Sequence, residues 1–454
     1  MRVEQTRAFI RKDFLPFSPP FIGEQEIAEV LDTLKSDWIT TGPKVESFEK
    51  EFAEAIGAKG ALALSSGTGA LHVALAALGI GRDDRVITTP MTFCSSAHVI
   101  EQLGAQPLFV DVDPDTLNIA PMGIIEALEG REAAPQLRAA SRGRVKAILP
   151  VHLYGQPCDM RAILEIARNH GLAVVEDAAH ALPAKYEGVL VGSPQPVGND
   201  DAAPRVMTGF SFYATKNLTT AEGGMLTGPQ ELLDESRIWA LHGLSRDAWK
   251  RYGSQGSWYY EVVRPGFKYN MTDIQASIGL HQLRRLPQFH ARRCEIAGQY
   301  NRAFSQFEEL QIPTVRPEVE HAWHLYVLRL NLERLSLSRN AFIDELHSRN
   351  IGSSVHFIPL HLQPYYREKY GFNPEDFPVA YRESQRIVSL PVYPRMTDQD
   401  VRDVINAVAA IIEVYRSRTF ISANRKRKPF RPVSSDASEA EQARGRGTIG
   451  EPTQ

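Results

Sequence analysis

Between about Gly60 and Leu226 short apolar runs alternate with helical patterns, and this alternation limits the fold more than any other feature of the chain. ALALSS (61–66), RVITTP (85–90), QPLFVDV (106–112), VKAILPV (145–151), LAVVEDA (172–178) and TGFSFYA (208–214) have the length and content of buried strands. TGALHVALAAL (68–78) and DMRAILEIARNHG (159–171) have a helical period. Such a chain is expected to fold as an α/β domain whose largely parallel sheet is covered on both faces. In these sheets ligands collect at the carboxyl ends of the strands. Every polar motif discussed below falls at such an end.

After Asn270 the texture changes. TDIQASIGLHQLRRL and a further helix through Ala303 lead to the strand HLYVLRL (324–330), a helix around AFIDELHSRN and the strand-like SSVHFI. TDQDVRDVINAVAAIIEVYR then reads as a closing helix. The expected organisation is a large α/β domain over 1–275, a smaller α+β domain over 276–415 and a disordered tail over 416–454. Two excursions interrupt the large domain: the Pro/Gly/Asp-rich insert Ser193–Arg205, and the Trp/Tyr/Gly-rich segment from about Asp247 to Pro265.

A net charge of -3 gives no overall attraction to nucleic acid or to an anionic membrane, so a phosphate-bearing ligand must be held by local groups. The RKRK run (425–428) reads as part of the solvated tail. Cys94, Cys158 and Cys294 are far apart and in no metal-ligand spacing, and are expected to be free thiols in a reducing compartment, with no metal site. Neither a secretory signal in MRVEQTRAFIRKDF nor a run of roughly 20 apolar residues is present, so a cytoplasmic location is expected.

Three motifs carry chemistry. SSGTGAL (65–71) lies where a strand becomes a helix, and the free N–H groups there, with Gly67, Thr68 and Gly69, suit an anion as well as a plain tight turn. EDAAH (176–180) puts Asp177 at a buried strand end, where an acid needs a cationic partner such as a protonated pyridine nitrogen; a helix cap is the alternative. His180 could bond a ring substituent or be an ordinary core histidine. FSFYATKN (210–217) is the most specific: Lys216 at a strand end can be desolvated into a nucleophile, and Ser211 is placed for phosphate. Phe93, just past RVITTP, could lie flat on an aromatic cofactor or simply be core.

The order SSGT, TF after a strand, EDAAH, SFYATKN…EGG and GFKYNMTD resembles the DegT/StrS-type sugar aminotransferases, which are fold type I pyridoxal-phosphate (PLP) enzymes of the aspartate aminotransferase superfamily. The likeness runs from about Phe14 to about Tyr415, and the 193–205 insert falls between motifs. It implies that Lys216 binds the cofactor through its amine and later moves a proton between C4′ and the substrate carbon. It further implies that Asp177 pairs with the pyridine nitrogen, that Phe93 stacks on the ring and that His180 sits near its O3′. Gly67, Thr68 and Ser211 would hold the phosphate, joined by Asn270 from the neighbouring subunit of a homodimer with composite sites. Trp38, Thr41, His242, His324, His356 and His361 lie in stretches that line substrate sites in relatives.

The reaction implied is ping-pong: an amino acid, expected to be L-glutamate, converts PLP to pyridoxamine phosphate (PMP), and a nucleotide-linked keto sugar takes the amino group. HAWHLYVLRL and VHF with PLH look nearest to enzymes acting on 4-keto sugars in lipopolysaccharide modification. A PLP-dependent sugar dehydratase shares the fold, but Lys216 disfavours relatives with His in its place. A sugar-sensing regulator would need a helix-turn-helix, and a nicotinamide enzyme a GxGxxG after the first strand; neither is present. Arg329 is the only obvious carboxylate clamp in the small-domain motifs, which otherwise offer His, Tyr and backbone groups.

Overall fold

The computed structural model describes residues 9–131, 143–194, 203–245 and 259–417. The centre of the 193–205 insert, most of the 247–265 excursion and the tail beyond 417 lie outside the described residues.

Seven strands form the main sheet: β1 (Ala61–Leu64), β2 (Asp84–Thr88), β3 (Gln106–Phe109), β4 (Arg144–Ile148), β5 (Ala173–Asp177), β6 (Val206–Ser211) and β7 (Gly224–Thr227). Their order is β1-β7-β6-β5-β4-β2-β3. The run from β6 to β3 is parallel, whereas β7 is antiparallel to both β6 and β1. Each expected strand of this sheet is present, shorter at its carboxyl end than its apolar run, and past the ends of β1, β4 and β6 the chain turns to bring Ser66, Val151 and Tyr213 to the cavity described below. β7 was not read as a strand: its glycines mimic a loop, yet they permit close approach. A Cβ on Gly224 would stand 2.4 Å from the Ser66 carbonyl oxygen.

Helices that matter for the site are α1 (Glu24–Lys35), α2 (Pro43–Ile56), α3 (Gly67–Ala77), α4 (Ser95–Gln102), α5 (Met160–His170), α6 (Asp273–Phe304) and α7 (Asp398–Tyr415). α3 is apolar nearly all round and buried from Gly69 to Ala76, as befits a helix wedged against a sheet. α5 has a sharply amphipathic pattern, an Asp159 cap and Gly171 in the left-handed conformation at its end.

The two helices expected between Thr272 and Ala303 are one 32-residue helix, α6, which continues through Pro287. Proline in a helix interior costs roughly 3 kcal/mol, and packing along the whole length offsets it. Ala276, Leu280 and Leu283 join Phe48 and Phe52 in one core, while Ile296, Tyr300 and Phe304 join Tyr326 and Val404 in another. Residue 275 thus lies in the first turn of a helix that belongs to both cores. A small antiparallel sheet, β8 (Leu310–Gln311), β9 (Tyr326–Leu330) and β10 (Ile387–Leu390), carries the second core with α7. SSVHFI is not a strand: it makes a single bridge, Ser354 with Ser389, and then leaves the sheet to bring His356 and Phe357 to the cavity described next.

Candidate active site

A cavity of about 370 Å3 opens at the carboxyl ends of β1, β2, β5 and β6. Gly67, Thr68, Phe93, Asp177, His180, Ser211, Lys216, His324 and His356 all line it. One wall is the start of α3, where Ser66 caps the helix by accepting the Gly69 N–H at 3.0 Å. The Gly67 and Thr68 amides belong to the first turn and have no intrahelical acceptor. Ser211 is packed against them so closely that a Cβ on Gly67 would stand 2.7 Å from the Ser211 Cβ. Two amides at a positive helix end, with the Thr68 and Ser211 hydroxyls beside them, make an anion cradle.

Lys216 sits in the turn after β6, its N–H donating to the Tyr213 carbonyl at 2.9 Å. Burial pushes its amine down to about 8, against the pull of Asp177 in the opposite direction. Asp177 ends β5 and is 5% exposed. It accepts the Ala179 N–H at 3.1 Å and a hydrogen bond from Ser96 at 2.7 Å. On the other face of the same strand, Glu176 is buried against His152 (2.7 Å) and Thr208 (3.1 Å).

Hydrogen-bond partners decide two of the histidine tautomers. The Tyr154 N–H donates to His180 Nδ1 at 3.2 Å, so the neutral ring carries its proton on Nε2 as a donor. Asn217 spends both amide protons on the Leu182 and Ala322 carbonyls, so its Oδ1 accepts from His324 Nδ1, 3.3 Å away. His324 Nε2 is therefore an acceptor. The two rings lie 4.5 Å apart. Burial, and then the Lys216 charge among others, holds both well below the ordinary imidazole range, and His356 falls to about 4 for the same reasons.

The sequence pattern of the DegT/DnrJ/EryC1/StrS aminotransferase family matches residues 20–409. The chain belongs to that family. It is 51% identical over 405 residues to the Bacillus subtilis spore coat polysaccharide biosynthesis protein SpsC, covering 89% of this chain and 98% of SpsC. An uncharacterised Methanocaldococcus jannaschii protein, MJ1066, is 52% identical over 408 residues, 90% of this chain and 100% of its own. Among solved structures, the putative sugar aminotransferase Spr1654 of Streptococcus pneumoniae in its PMP form superposes with a TM-score of 0.78 at 34% identity, covering 88% of this chain and 99% of that one. Its PLP form gives 0.77 at 33% identity with the same coverage.

The protein is accordingly a PLP-dependent sugar aminotransferase of this family, and the cavity fits the cofactor. It offers an anion cradle, a desolvated amine, a buried carboxylate and a neutral imidazole N–H, all on one wall system. Phe93 is 58% exposed at the rim, with its ring 6.1 Å from Phe357. An aromatic left this open is available to a flat ligand rather than committed to the core.

Other expected site residues lie elsewhere in the chain. The structure does not bring His361 to the cavity: it is fully buried, tilted 4.9 Å from Phe377, with Nε2 at 3.3 Å from the Pro374 carbonyl. Trp38, Thr41 and Asn270 form a separate surface cluster. The Asn270 amide donates to Thr41 Oγ1 at 2.7 Å, the Trp38 indole N–H to the Thr41 carbonyl at 2.7 Å, and Lys268 to Asn270 Oδ1. His242 is exposed and does not line the cavity, its backbone N–H donating to the Phe267 carbonyl. Sequence reasoning missed Thr92, Phe17, Ser18, Glu222 and Phe357 around the cavity, and Ser96 buried behind Asp177. Ser96 had a faint signal, a hydroxyl at the start of the helix after the TF motif, but nothing that pointed it toward Asp177.

Proposed function

We propose that this aminotransferase moves an amino group from an amino acid, L-glutamate by family resemblance, to the keto carbon of a nucleotide-linked sugar. A 4-keto sugar destined for surface polysaccharide is the form favoured, in keeping with the similarity to SpsC. The observation that carries the acceptor class is the fate of the arginines. Among the described residues lining the cavity there is none. Arg329 is 2% exposed and committed to the Pro114 and Asp115 carbonyls at 2.6 and 2.8 Å, with Glu383 at 3.6 Å. A site specialised for keto acids would hold them with a bidentate guanidinium; here the donor's carboxylate, like the sugar and its phosphates, would be met by histidine, hydroxyl and backbone donors.

PLP, when bound, supplies a conjugated pyridinium that accepts the electron pair released at the substrate carbon. In this reading the α3 end with Ser211 would hold the phosphate and Asp177 the ring nitrogen, while Phe93 would stack on the ring and the His180 Nε2–H would donate to the ring oxygen. Lys216, its amine lowered by burial, would hold the cofactor through its aldehyde carbon, the aldehyde oxygen leaving as water, and would afterwards be placed to carry the proton at the reacting carbon. His324 and His356 line the part of the cavity left for substrate.

The active unit is proposed to be a cytoplasmic homodimer. Ile27, Leu31 and Leu34 on α1 are each about half exposed, beside Ile22 and Ile39, and form an apolar face close to the Lys216 turn. A two-fold partner on that face would deliver Asn270 and its Thr41–Trp38 cluster to the other subunit's cradle. The acceptor class is tested by loading the enzyme as PMP and following its return to the PLP spectrum. A nucleotide-linked 4-keto hexose or pentose should restore the spectrum far faster than pyruvate or oxaloacetate at equal concentration. Faster reaction with the keto acids, with keto sugars inert, defeats the sugar assignment and leaves the cofactor assignment standing.

A further inference from the structure

Ser96 is fully buried in the first turn of α4, and its Oγ lies 2.7 Å from Asp177 Oδ2. An ionised carboxylate only accepts, so the serine proton points at Asp177. Thr92 Oγ1 lies 2.8 Å from the same Ser96 oxygen, and with the serine proton engaged the threonine donates. The result is a one-way chain, Thr92 to Ser96 to Asp177, buried along its length and ending at the cavity wall. A serine in this helical position normally satisfies itself on the carbonyl three residues back. That carbonyl, of Phe93, is present at 3.3 Å, yet the shorter bond goes to Asp177.

We propose that Ser96, oriented by Thr92, is a positioning residue for Asp177, resting on the reading that Asp177 faces the cofactor's ring nitrogen. Asp177 is gripped on one oxygen by the Ala179 N–H and on the other by Ser96, so its plane cannot rotate and its remaining lone pairs stay toward the cavity. Phe93 lies between Thr92 and Ser96 in sequence. The segment that presents the stacking ring is thereby tied to the carboxylate at the ring's edge, and the two contacts keep a fixed relation. A charge-assisted bond between buried groups is strong, which is what a directional constraint requires.

The test is equilibrium binding of PLP to the full-length apoenzyme, followed by protein fluorescence, for wild type, Ser96→Ala, Thr92→Val, their double variant and Asp177→Asn. Loss of the serine hydroxyl should weaken PLP binding about tenfold, the size expected for a hydrogen bond to a charged group. Thr92→Val should weaken it less. The double variant should match Ser96→Ala, because the threonine acts only through the serine. A purely structural serine would lower apoenzyme melting temperature and give additive losses. Additivity, or wild-type affinity in Ser96→Ala while Asp177→Asn binds poorly, overturns the positioning role and spares Asp177. Wild-type affinity in Asp177→Asn overturns the reading of Asp177 itself. Thr92→Val is isosteric and keeps the packing, so unchanged binding in it refutes the chain even where Ser96→Ala does not fold.

Discussion

The amine of Lys216 offers a quantitative test of the site's electrostatics. Burial lowers it from 10.5 to about 8. At pH 7 an amine with that value is neutral in about 9% of molecules, against about 0.03% for an ordinary lysine, a gain of about 300-fold in the form that attacks an aldehyde. The assay is the rate at which apoenzyme captures pyridoxal, read by stopped-flow absorbance from pH 6 to 11; pyridoxal is chosen because it lacks the phosphate's own ionisation. The rate should rise with a midpoint near pH 8. Asp177 favours the charged amine, so Asp177→Asn should move the midpoint lower still. Lys216→Ala should abolish capture and the visible band together. A midpoint above about 10, or an upward move in Asp177→Asn, refutes the argument that desolvation activates this lysine.

Gly67→Ala should weaken PLP binding by tenfold or more and lower stability by about 1–3 kcal/mol, because the new methyl falls 2.7 Å from the Ser211 Cβ and 3.2 Å from the Phe210 carbonyl; unchanged affinity would show that the cradle does not hold the phosphate. The three cavity histidines stay neutral when folded, whereas unfolded imidazoles take up a proton below about 6.5. Apoenzyme stability should therefore fall as pH drops from about 6.5 toward 4, and His356→Gln should flatten that slope in urea titrations. Mixed and reassociated Lys216→Ala and Asn270→Ala homodimers, each nearly inactive alone, should recover part of the activity, since one site of the heterodimer would hold both native residues. Proven subunit exchange without recovery would place Asn270 outside the partner's site.

The parallel core and the cavity's main residues were legible because a buried strand followed by a polar motif leaves few other arrangements. Lys216, Asp177 and the Gly67 turn each end such a strand. What stayed hidden depends on contacts remote in sequence. β7 carries too few large residues to announce a strand, and Gly224 at its start leaves room for the Ser66–Gly67 backbone just past β1. The two helices expected on either side of Pro287 are one, because α6 packs into a core at each end. His361 and His324 look alike in sequence, each in a short His-containing motif, yet one is closed off by Phe377 and the other reaches the cavity. Ser96 became visible only when α4 was laid beside β5.

The placement of β1 bears on when this protein can first function during synthesis. β1 is flanked by β7 on one side, Leu64 opposite Gly224, and touches Asn270 through an isolated bridge, with the Ser65 N–H on the Tyr269 carbonyl. Both supports are translated long after the SSGT turn itself. A nascent chain that has emerged as far as Lys216 already contains the lysine, the carboxylate and the cradle sequence, but the strand that aims the cradle has nothing to pair with. Cofactor capture is thus expected to follow release of residues 224–270, and until then the edge of the large domain's sheet that ends in β1 stays unpaired.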